Sequence, residues 1–384
     1  MYILHISPER AEKRMTETLH SLNAARVIAE YAVVHYHISF LFPDAKGLLS
    51  GGVVPDNLMS FFFVLSGFVA MHTNMETDFA DRACQFAYII KRMRKTYPLY
   101  LLLFLADLPG TVIGQDISCP YFWVSLAAQP LLVQPWLGSQ HISISNGVGW
   151  YLCTLYWLWL FFPFINVRWM LSSTPWLMIY TIYVFSVSVW VALTPYNIIY
   201  TRAVPIFRLL EFLMGCGVAF TLDCRIHGLI VLLGLGVFFG YCVLETQMEW
   251  TSEQLHGNCT LWIQRKYQRV NPTIVLSKFS IVWALLIHWL ASKELFSPTA
   301  GIIQLLQHDF FKSLSRFSLH LYLSHYSVAC ALRSASTALG IFHWWDLDTM
   351  IIACYVIAYL LSRWVQPLLD RLECKKAVFP DEAG

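Results

Sequence analysis

Residues 26–37 read Arg-Val-Ile-Ala-Glu-Tyr-Ala-Val-Val-His-Tyr-His and lie inside an apolar run that has the length of a membrane helix. Ionisable side chains in such a helix are costly, so they usually face the protein interior and usually have a function. Arg26, Glu30 and His37 are spaced by four and seven residues, so a helix places them on one stripe. At 1.5 Å per residue, His37 lies about 16 Å from Arg26 along the helix.

The composition is that of a membrane protein. Of 384 residues, 57% are hydrophobic and only 13% are charged, whereas soluble domains carry about a quarter charged residues. The formal net charge of +2 and the shortness of every basic run give no indication of a nucleic-acid partner, and we predict none. The sequence contains no Cys-x-x-Cys pair and no His/Cys cluster, so we predict no metal site.

We predict an all-α fold, a polytopic bundle of about ten transmembrane helices. About 20 apolar residues cross a bilayer. The apolar segments of this kind are 25–42, 58–73, 97–113, 149–166, 175–194, 205–222, 228–245, 274–292, 318–339 and 349–369. A further stretch, 121–136, is interrupted by prolines and glutamines, and we interpret it as re-entrant or interfacial. Both basic termini and the basic second loop face the cytoplasm only if the number of spans is even.

The expected organisation is a cytoplasmic N-terminal segment, 1–22, one transmembrane domain, 23–370, and a cytoplasmic tail, 371–384. The N-terminal segment lacks the apolar core of a signal peptide, so we expect the first helix to direct the chain to the membrane. The protein is then an integral, multi-pass protein of the plasma membrane or an endomembrane.

Two longer loops fall on the outer or lumenal side in this topology. They contain Cys119 and Cys259, which either pair in an oxidising compartment or remain free thiols. Asn258 begins a match to the glycosylation sequon, which is a weak three-residue signal.

The stripe on the first helix offers a base and a cation on one face. A histidine takes a proton from a hydroxyl near neutral pH, as acyl transfer to an alcohol requires. Arg26 either holds an anionic phosphate or sets the helix geometry through a pair with Glu30. His35 competes with His37 for the role of base and points about 160° away from it. A core histidine and a snorkelling arginine explain the same spacing equally well.

A basic cluster, 91–95, precedes Pro98 at the start of the predicted third span. Arg92, Arg94 and Lys95 are candidates for binding the phosphates of a coenzyme at the cytoplasmic membrane face. Positive-inside topology and contact with lipid head groups are the alternative explanations for these cations.

Small residues in two spans predict close contacts between helices. The second span contains Ser66-Gly67, where either a close contact or a break is expected. The seventh span contains Gly234, Gly236 and Gly240, which we interpret as a packing surface for another helix.

The first three spans resemble, in their order, motifs of the acyltransferase-3 family of membrane-bound acyltransferases. The family's first helix carries arginine, ten residues and then histidine, a pattern met here by Arg26 and His37. Residues 62–68 match its Phe-Phe-Val-Leu-Ser-Gly-Phe signature letter for letter. Residues 92–100 resemble its Arg-x-x-Arg-x-x-Pro-Leu-Tyr element.

Later stretches also resemble the family. Residues 149–163 are similar to its Trp-x-Leu span, 208–215 to its Arg-x-x-Glu-Phe-x-x-Gly helix start, and 318–325 to its Ser-x-x-Leu-Tyr-Leu-x-His helix. The resemblance covers about 22–370, which is nearly the whole chain.

The resemblance implies an integral membrane O-acyltransferase that moves a short, acetyl-like group from acyl-CoA to a hydroxyl. Acyl-CoA, with acetyl-CoA preferred, is then a co-substrate and not a permanently bound cofactor. The acceptor is a carbohydrate, a lipid or a small metabolite, and membrane lipids are the other partners. His37 is the implied base, with Arg26 and Glu30 beside it on the same stripe.

Further candidates and one departure follow from the same motifs. Ser66, Glu211 and His325 are possible site residues; Glu211 also has a structural explanation in Arg208, and His325 has one in a neighbouring hydroxyl. Lys95 replaces the family's second arginine, and a lysine does not reproduce a bidentate grip on phosphate.

A transporter or proton-coupled permease is the alternative function. Intramembrane arginine, glutamate and histidine also form relays in such proteins. The sequence shows no matching half-repeats, which weighs against this class.

Overall fold

A computed structural model of the protein describes most of the chain. The residues described are 18–41, 55–114, 118, 120–137, 146–165, 182, 203–222, 226–240, 279–299, 301–339 and 347–376. Within these ranges the regular structure is helical and contains no strand, as the sequence predicts. The helices are α1 (His20–Leu41), α2 (Pro55–His72), α3 (Arg82–Gly114), α4 (Pro120–Ala128), α5 (Gly149–Phe161), α6 (Pro205–Phe220), α7 (Gly228–Gly240), α8 (Ser280–Phe296), α9 (Gly301–Leu306), α10 (Asp309–Ser315), α11 (Ser318–Leu339), α12 (Leu347–Leu360) and α13 (Gln366–Lys376).

Each predicted span coincides with a helix except 175–194, which lies outside the described residues apart from residue 182. In the described part of the chain, the helix Leu347–Arg371 is long and apolar enough by itself to cross a membrane, with a mean hydropathy of 1.4. The apolar part of α2, Leu58–His72, and all of α7 are shorter than a membrane-spanning helix. α1 is long enough to cross a bilayer, but it carries the charged residues Arg26 and Glu30. The count of ten spans and the cytoplasmic position of both termini therefore stay predictions.

The interrupted stretch 121–136 forms α4 and a 3-10 turn, Gln134–Trp136. α4 has nine residues, which is too short to cross a bilayer. Its re-entrant or interfacial position stays a prediction. Cys119, Asn258 and Cys259 lie outside the described residues, so pairing and glycosylation also stay predictions.

The last span continues without a break through a π-helical segment, Leu361–Val365, into α13. α13 extends to Lys376, past residue 371, where the sequence predicts the tail to begin. Six-residue α9 and seven-residue α10 occupy the predicted loop between α8 and α11, and both pack against α1.

The helix that contains the predicted third span, 97–113, begins about four turns before that span. α3 is a single helix of 33 residues with Pro98 and Pro109 in its interior, so the basic cluster 91–95 lies on the helix and not in a loop before it. Asp81 explains the early start, because its carboxylate accepts a hydrogen bond from the Ala83 backbone N–H at 3.0 Å and caps the helix.

α2 and α6 cross with their backbones in contact. A Cβ atom at Gly67 would overlap the carbonyl oxygen of Phe212, and one at Gly215 would overlap the carbonyl oxygen of Val64. The Cys216 thiol also lies 3.3 Å from the Gly67 carbonyl oxygen. The close contact predicted at Ser66-Gly67 is therefore confirmed, and no break occurs there.

The glycines of α7 differ from the packing surface that the sequence predicts for them. A Cβ at Gly236 or Gly240 would meet none of the described residues within 4 Å, and one at Gly234 would make ordinary contact with Val282 at 3.4 Å. Within the described part of the chain, no helix packs closely at Gly236 or Gly240, contrary to the interpretation of this glycine pattern as a packing surface.

The N-terminus of α1 is capped by a carboxylate from a distant part of the chain. Glu294, on α8 and 5% exposed, accepts hydrogen bonds at 2.9 Å from the backbone N–H groups of His20 and Ser21. The Ser21 hydroxyl and the Gln307 amide also donate to it. The first N–H groups of a helix have no partner within the helix, and they favour negative charge. Glu294 thus fixes where α1 begins.

We expect Gly67→Ala to lower the melting temperature of the detergent-solubilised protein by about 5 °C or more, because overpacking costs about 1–3 kcal/mol or more. Gly236→Ala is the matched control, since its new methyl group meets open space. Fluorescence-detected thermal unfolding of the two purified variants checks this. Equal melting temperatures would contradict the described α2–α6 crossing.

We expect Glu294→Ala to destabilise the protein by about 1–3 kcal/mol, because buried N–H groups at the start of α1 lose their acceptor. Glu294→Gln, which keeps one acceptor oxygen, should have a smaller effect. The exposed Glu76 supplies the control variant Glu76→Ala. Thermal unfolding is the measurement, and an unchanged midpoint for Glu294→Ala would refute the capping role.

Candidate active site

A cavity of about 440 Å³ lies between α1, α2, α3, α5 and α11. Exposed side chains stand at one end of it, among them Thr18, Thr73 and Lys95. The walls are mainly apolar and aromatic: Leu19, Leu22, Phe62, Leu65, Phe68, Val69, Leu152, Leu155, Trp159 and Leu319. The cavity therefore joins an open, basic end to an apolar interior.

Arg26 lines the cavity and is held from the other side by α10. Its Nη2 donates to the backbone carbonyl of Ser315 at 3.2 Å, which is one of the last carbonyls of that helix. The C-terminal end of a helix favours a cation. Arg26 Nε is buried and has no hydrogen-bond partner among the described residues. The guanidinium is thus fixed at one edge and retains an unused donor.

Glu30 lies one turn deeper on α1 and is only 3% exposed. The Ser318 side chain hydrogen-bonds its carboxyl group, and the positive charge of Arg26, one turn away on α1, acts on it. Both Glu30 and Ser318 line the cavity. Arg26 and Glu30 therefore lie on one face of α1, as the stripe predicts, and both side chains line the cavity.

The cations of α3 divide into two sets. Arg92 and Lys95, three residues apart, both line the cavity, and the Arg92 guanidinium lies 5.5 Å from the Tyr88 ring centre and 5.4 Å from the Trp159 ring centre. Arg94 is exposed and is absent from the described cavity wall. Residues three apart share a helix face, whereas residues one or two apart do not, which separates Arg94 from Lys95 and from Arg92.

Two tyrosines stand at the inner end of the cavity. The Tyr151 hydroxyl lies 3.4 Å from the Ser66 hydroxyl, and the Tyr151 and Tyr322 ring centres are 5.3 Å apart. The Tyr322 hydroxyl donates to the backbone carbonyl of Val148. Ser66 therefore does face the cavity, next to aromatic side chains that close its inner end.

His37 lies beyond this inner end, in contact with His325. His37 Nδ1 and His325 Nε2 are 3.0 Å apart, and the two ring planes are inclined by 22° with their centres 5.2 Å apart. His37 does not line the cavity formed by the described residues, and it lies about 10 Å along α1 from Glu30. Tyr322 connects the two regions, because it lines the cavity while its ring centre is 6.0 Å from that of His325.

α1 and α11 run parallel through this region. Arg26 contacts Ser315, which precedes α11, across 289 residues, and His37 contacts His325 across 288. The number of residues between the partners is nearly the same at both contacts, so the two helices advance in the same direction. The predicted topology also gives these spans the same direction, as the first and the ninth.

A family model described as an acyltransferase domain matches residues 19–365, nearly the whole chain. The chain belongs to the acyltransferase-3 family. No curated protein and no solved structure gives a match. The protein is therefore an acyltransferase, and its family is typically embedded in membranes and generally acylates hydroxyl groups.

Glu211 lies apart from the cavity of this acyltransferase. It is fully buried in α6, where it pairs with Arg208 at 3.0 Å and accepts a hydrogen bond from the Ser280 hydroxyl at 3.2 Å. The Arg208 guanidinium in turn lies 5.1 Å from the Phe63 ring centre. These contacts join α6 to α2 and α8, so the geometry gives Glu211 a structural explanation.

His35 occupies another face of α1. It is 5% exposed, and its ring centre lies 6.2 Å from that of Tyr31. In the described part of the chain it lines neither the cavity nor the pair formed by His37 and His325. The choice of His37 over His35 as the base stays a prediction.

Sequence reasoning missed Tyr151 and Tyr322 as site residues of the acyltransferase. Both lie inside stretches that resemble family motifs, 149–163 and 318–325. An aromatic residue in a membrane helix is ordinary, so composition gave no reason to single them out. Only the packing of α5 against α11 shows that they close the cavity.

Proposed function

We propose that this acyltransferase is an integral, multi-pass membrane protein that transfers a short, acetyl-like group from acyl-CoA to a hydroxyl acceptor. The observation that carries this proposal is the shared cavity, in which Arg26, Arg92 and Lys95 line walls that are otherwise mainly apolar. A CoA thioester is a molecule of the same character, with phosphates at one end and an uncharged acyl arm at the other.

The cations support the donor end of this proposal. Hydrogen bonds from arginine or lysine to phosphate are charge-assisted and stronger than neutral ones. Arg26 is fixed by Ser315 and keeps a buried Nε donor, while Arg92 is held between aromatic rings. Lys95 offers a point charge at the open end of the cavity. Arg94 would not share this task, because it faces away.

The proposed reaction needs a base for the acceptor hydroxyl. His37 takes the hydroxyl proton as the oxygen forms its bond to the acyl carbon. The carbon–sulfur bond of the thioester breaks, and the proton then passes from His37 to the departing thiolate. Acceptor and acyl-CoA thus become acylated acceptor and CoA with no net change in protons. Arg26 and Glu30, one turn apart on α1, face the same cavity and need not change charge during the transfer.

The surface of the helices supports a position within lipid. α7 and the Leu347–Arg371 helix present large apolar side chains outward, and the window of the latter is only 17% buried. These exposed residues are Leu229, Ile230, Leu232, Leu233, Val237, Phe239, Ile352, Val356, Tyr359, Leu360, Trp364 and Leu368. Apolar patches of this extent are unusual on soluble monomers, whereas lipid chains solvate them well.

We expect Arg92→Ala and Lys95→Ala each to raise the KM for acetyl-CoA by about tenfold to a hundredfold, since a hydrogen bond to a charged group contributes about 1.5–3 kcal/mol. Acetyl transfer from radiolabelled acetyl-CoA in membranes, with release of CoA thiol, is the measurement. Arg94→Ala is the matched control on the same helix, and its KM should stay within about twofold.

Equal losses in all three variants would show that the donor responds only to the general positive charge of α3. That result would contradict the proposal that the cavity binds the acyl donor. An acyl-donor KM that is unchanged in Arg92→Ala and in Lys95→Ala would do the same.

We expect His37→Gln to lower kcat by roughly 10²–10⁴, the usual contribution of general base catalysis. His35→Gln is the control, because it changes a buried histidine two residues away on another face of α1. Both rates are normalised to folded protein measured by size-exclusion chromatography. Acyl transfer that survives in His37→Gln would remove the assigned base, and solute flux without release of CoA would favour a transporter.

A further inference from the structure

His325 is a fully buried histidine whose two ring nitrogens both have defined neighbours. Its Nδ1 lies 2.8 Å from the backbone carbonyl oxygen of Tyr322 and 3.1 Å from that of Leu321. Its Nε2 lies 3.0 Å from His37 Nδ1. The ring is thus held by its own helix on one side and by α1 on the other.

The carbonyl oxygens decide which nitrogen of His325 carries a proton. A carbonyl only accepts hydrogen bonds, so Nδ1 must be the donor. Nε2 of the neutral ring is then an acceptor, and His37 Nδ1 must carry the proton that bridges the two rings. In neutral His37 the lone pair that can take a proton is therefore on Nε2.

We propose that His325 is a positioning residue that fixes the tautomer of His37 and makes Nε2 its proton-accepting nitrogen. This inference rests on the proposed function, in which His37 is the base. When His37 takes the hydroxyl proton at Nε2, its imidazolium still donates from Nδ1 to His325. That hydrogen bond becomes charge-assisted and stabilises the positive ring without a proton moving onto His325.

The surroundings of His325 keep this arrangement in place. Charging a buried ring costs much more than leaving it neutral and hydrogen-bonded. Its contacts are uncharged groups: the Leu321 and Tyr322 carbonyls, the Tyr322 ring, the neutral His37 ring and the Cys354 thiol, which lies 3.6 Å from the His325 carbonyl oxygen. A neutral His325 accepts from His37 without adding a second charge to the site.

Packing between the helices holds the two rings in register. Val34 and Ile38 of α1 belong to one buried apolar cluster with Leu321 and Ala329 of α11 and with residues of α12. Tyr326 adds an edge contact, with its ring centre 5.9 Å from that of His37. A hydrogen bond that fixes a tautomer needs this rigidity, because a small rotation of either ring would break it.

The test compares His325→Leu with His325→Gln. Leucine fills the space but accepts no hydrogen bond, whereas the glutamine amide oxygen can replace Nε2 as an acceptor. We expect His325→Leu to lower kcat by roughly 10²–10³ with the KM for acetyl-CoA within about threefold. His325→Gln should restore kcat to within about tenfold of the wild type.

His320→Leu is the control for loss of a buried histidine from the same helix. His320 is 5% exposed and its Nε2 lies 3.2 Å from the Gln366 side-chain oxygen, away from His37. Its kcat per folded molecule should stay close to that of the wild type. A leucine variant of His325 with normal kcat, or a glutamine variant no better than it, overturns the inference.

A spectroscopic measurement separates this inference from the proposed function. The ¹⁵N-histidine spectrum of the wild type minus that of His37→Gln isolates the His37 nitrogens. We expect a protonated Nδ1 and an unprotonated Nε2, and the opposite tautomer to gain population in His325→Leu. A wild-type His37 protonated at Nε2 contradicts the tautomer assignment whatever the activity. Conversely, full activity of His37→Gln removes the assigned base even where the tautomer is as expected.

Discussion

A membrane helix that carries an arginine, a glutamate and histidines is stable only if other helices supply partners for them. For α1 the partners come from one later part of the chain. Glu294 caps its first N–H groups, Ser315 accepts from Arg26, Ser318 hydrogen-bonds Glu30 and His325 contacts His37. The segment from the end of α8 to α11 is therefore the polar complement of α1, about 290 residues away in sequence.

The parallel alignment of α1 with this segment explains why the motif spacing has a fixed length. Glu30 and His37 are two turns apart, and so are Ser318 and His325, so each contact repeats at the same interval on both helices. A one-residue shift of either helix would rotate every side chain by about 100° and break all of these contacts together. The arginine and histidine of α1 thus depend on a single helix pair for their positions.

The sequence predicts the helical class, the polar stripe, a close contact or a break at Gly67, and the candidate residues, because these follow from periodicity, composition and family motifs. It does not predict which distant residue meets each polar group, since spacing within α1 contains no information about α11. Pro98 is typical of a helix start, so the basic cluster 91–95 reads as part of a loop, and in a loop nothing separates Arg94 from Arg92 and Lys95.

The distance between the cavity and His37 bears on how an acyltransferase of this design would avoid hydrolysis. Water reaches the basic end of the cavity, where charged phosphates would remain solvated. Tyr151 and Tyr322 stand between that end and the histidine pair, so an acyl group would have to pass aromatic side chains before it met the base. A base kept beyond such a barrier meets a hydroxyl acceptor more often than it meets bulk water. In the proposed function, the separation of the cations from His37 along α1 would keep the acyl group away from bulk water during transfer.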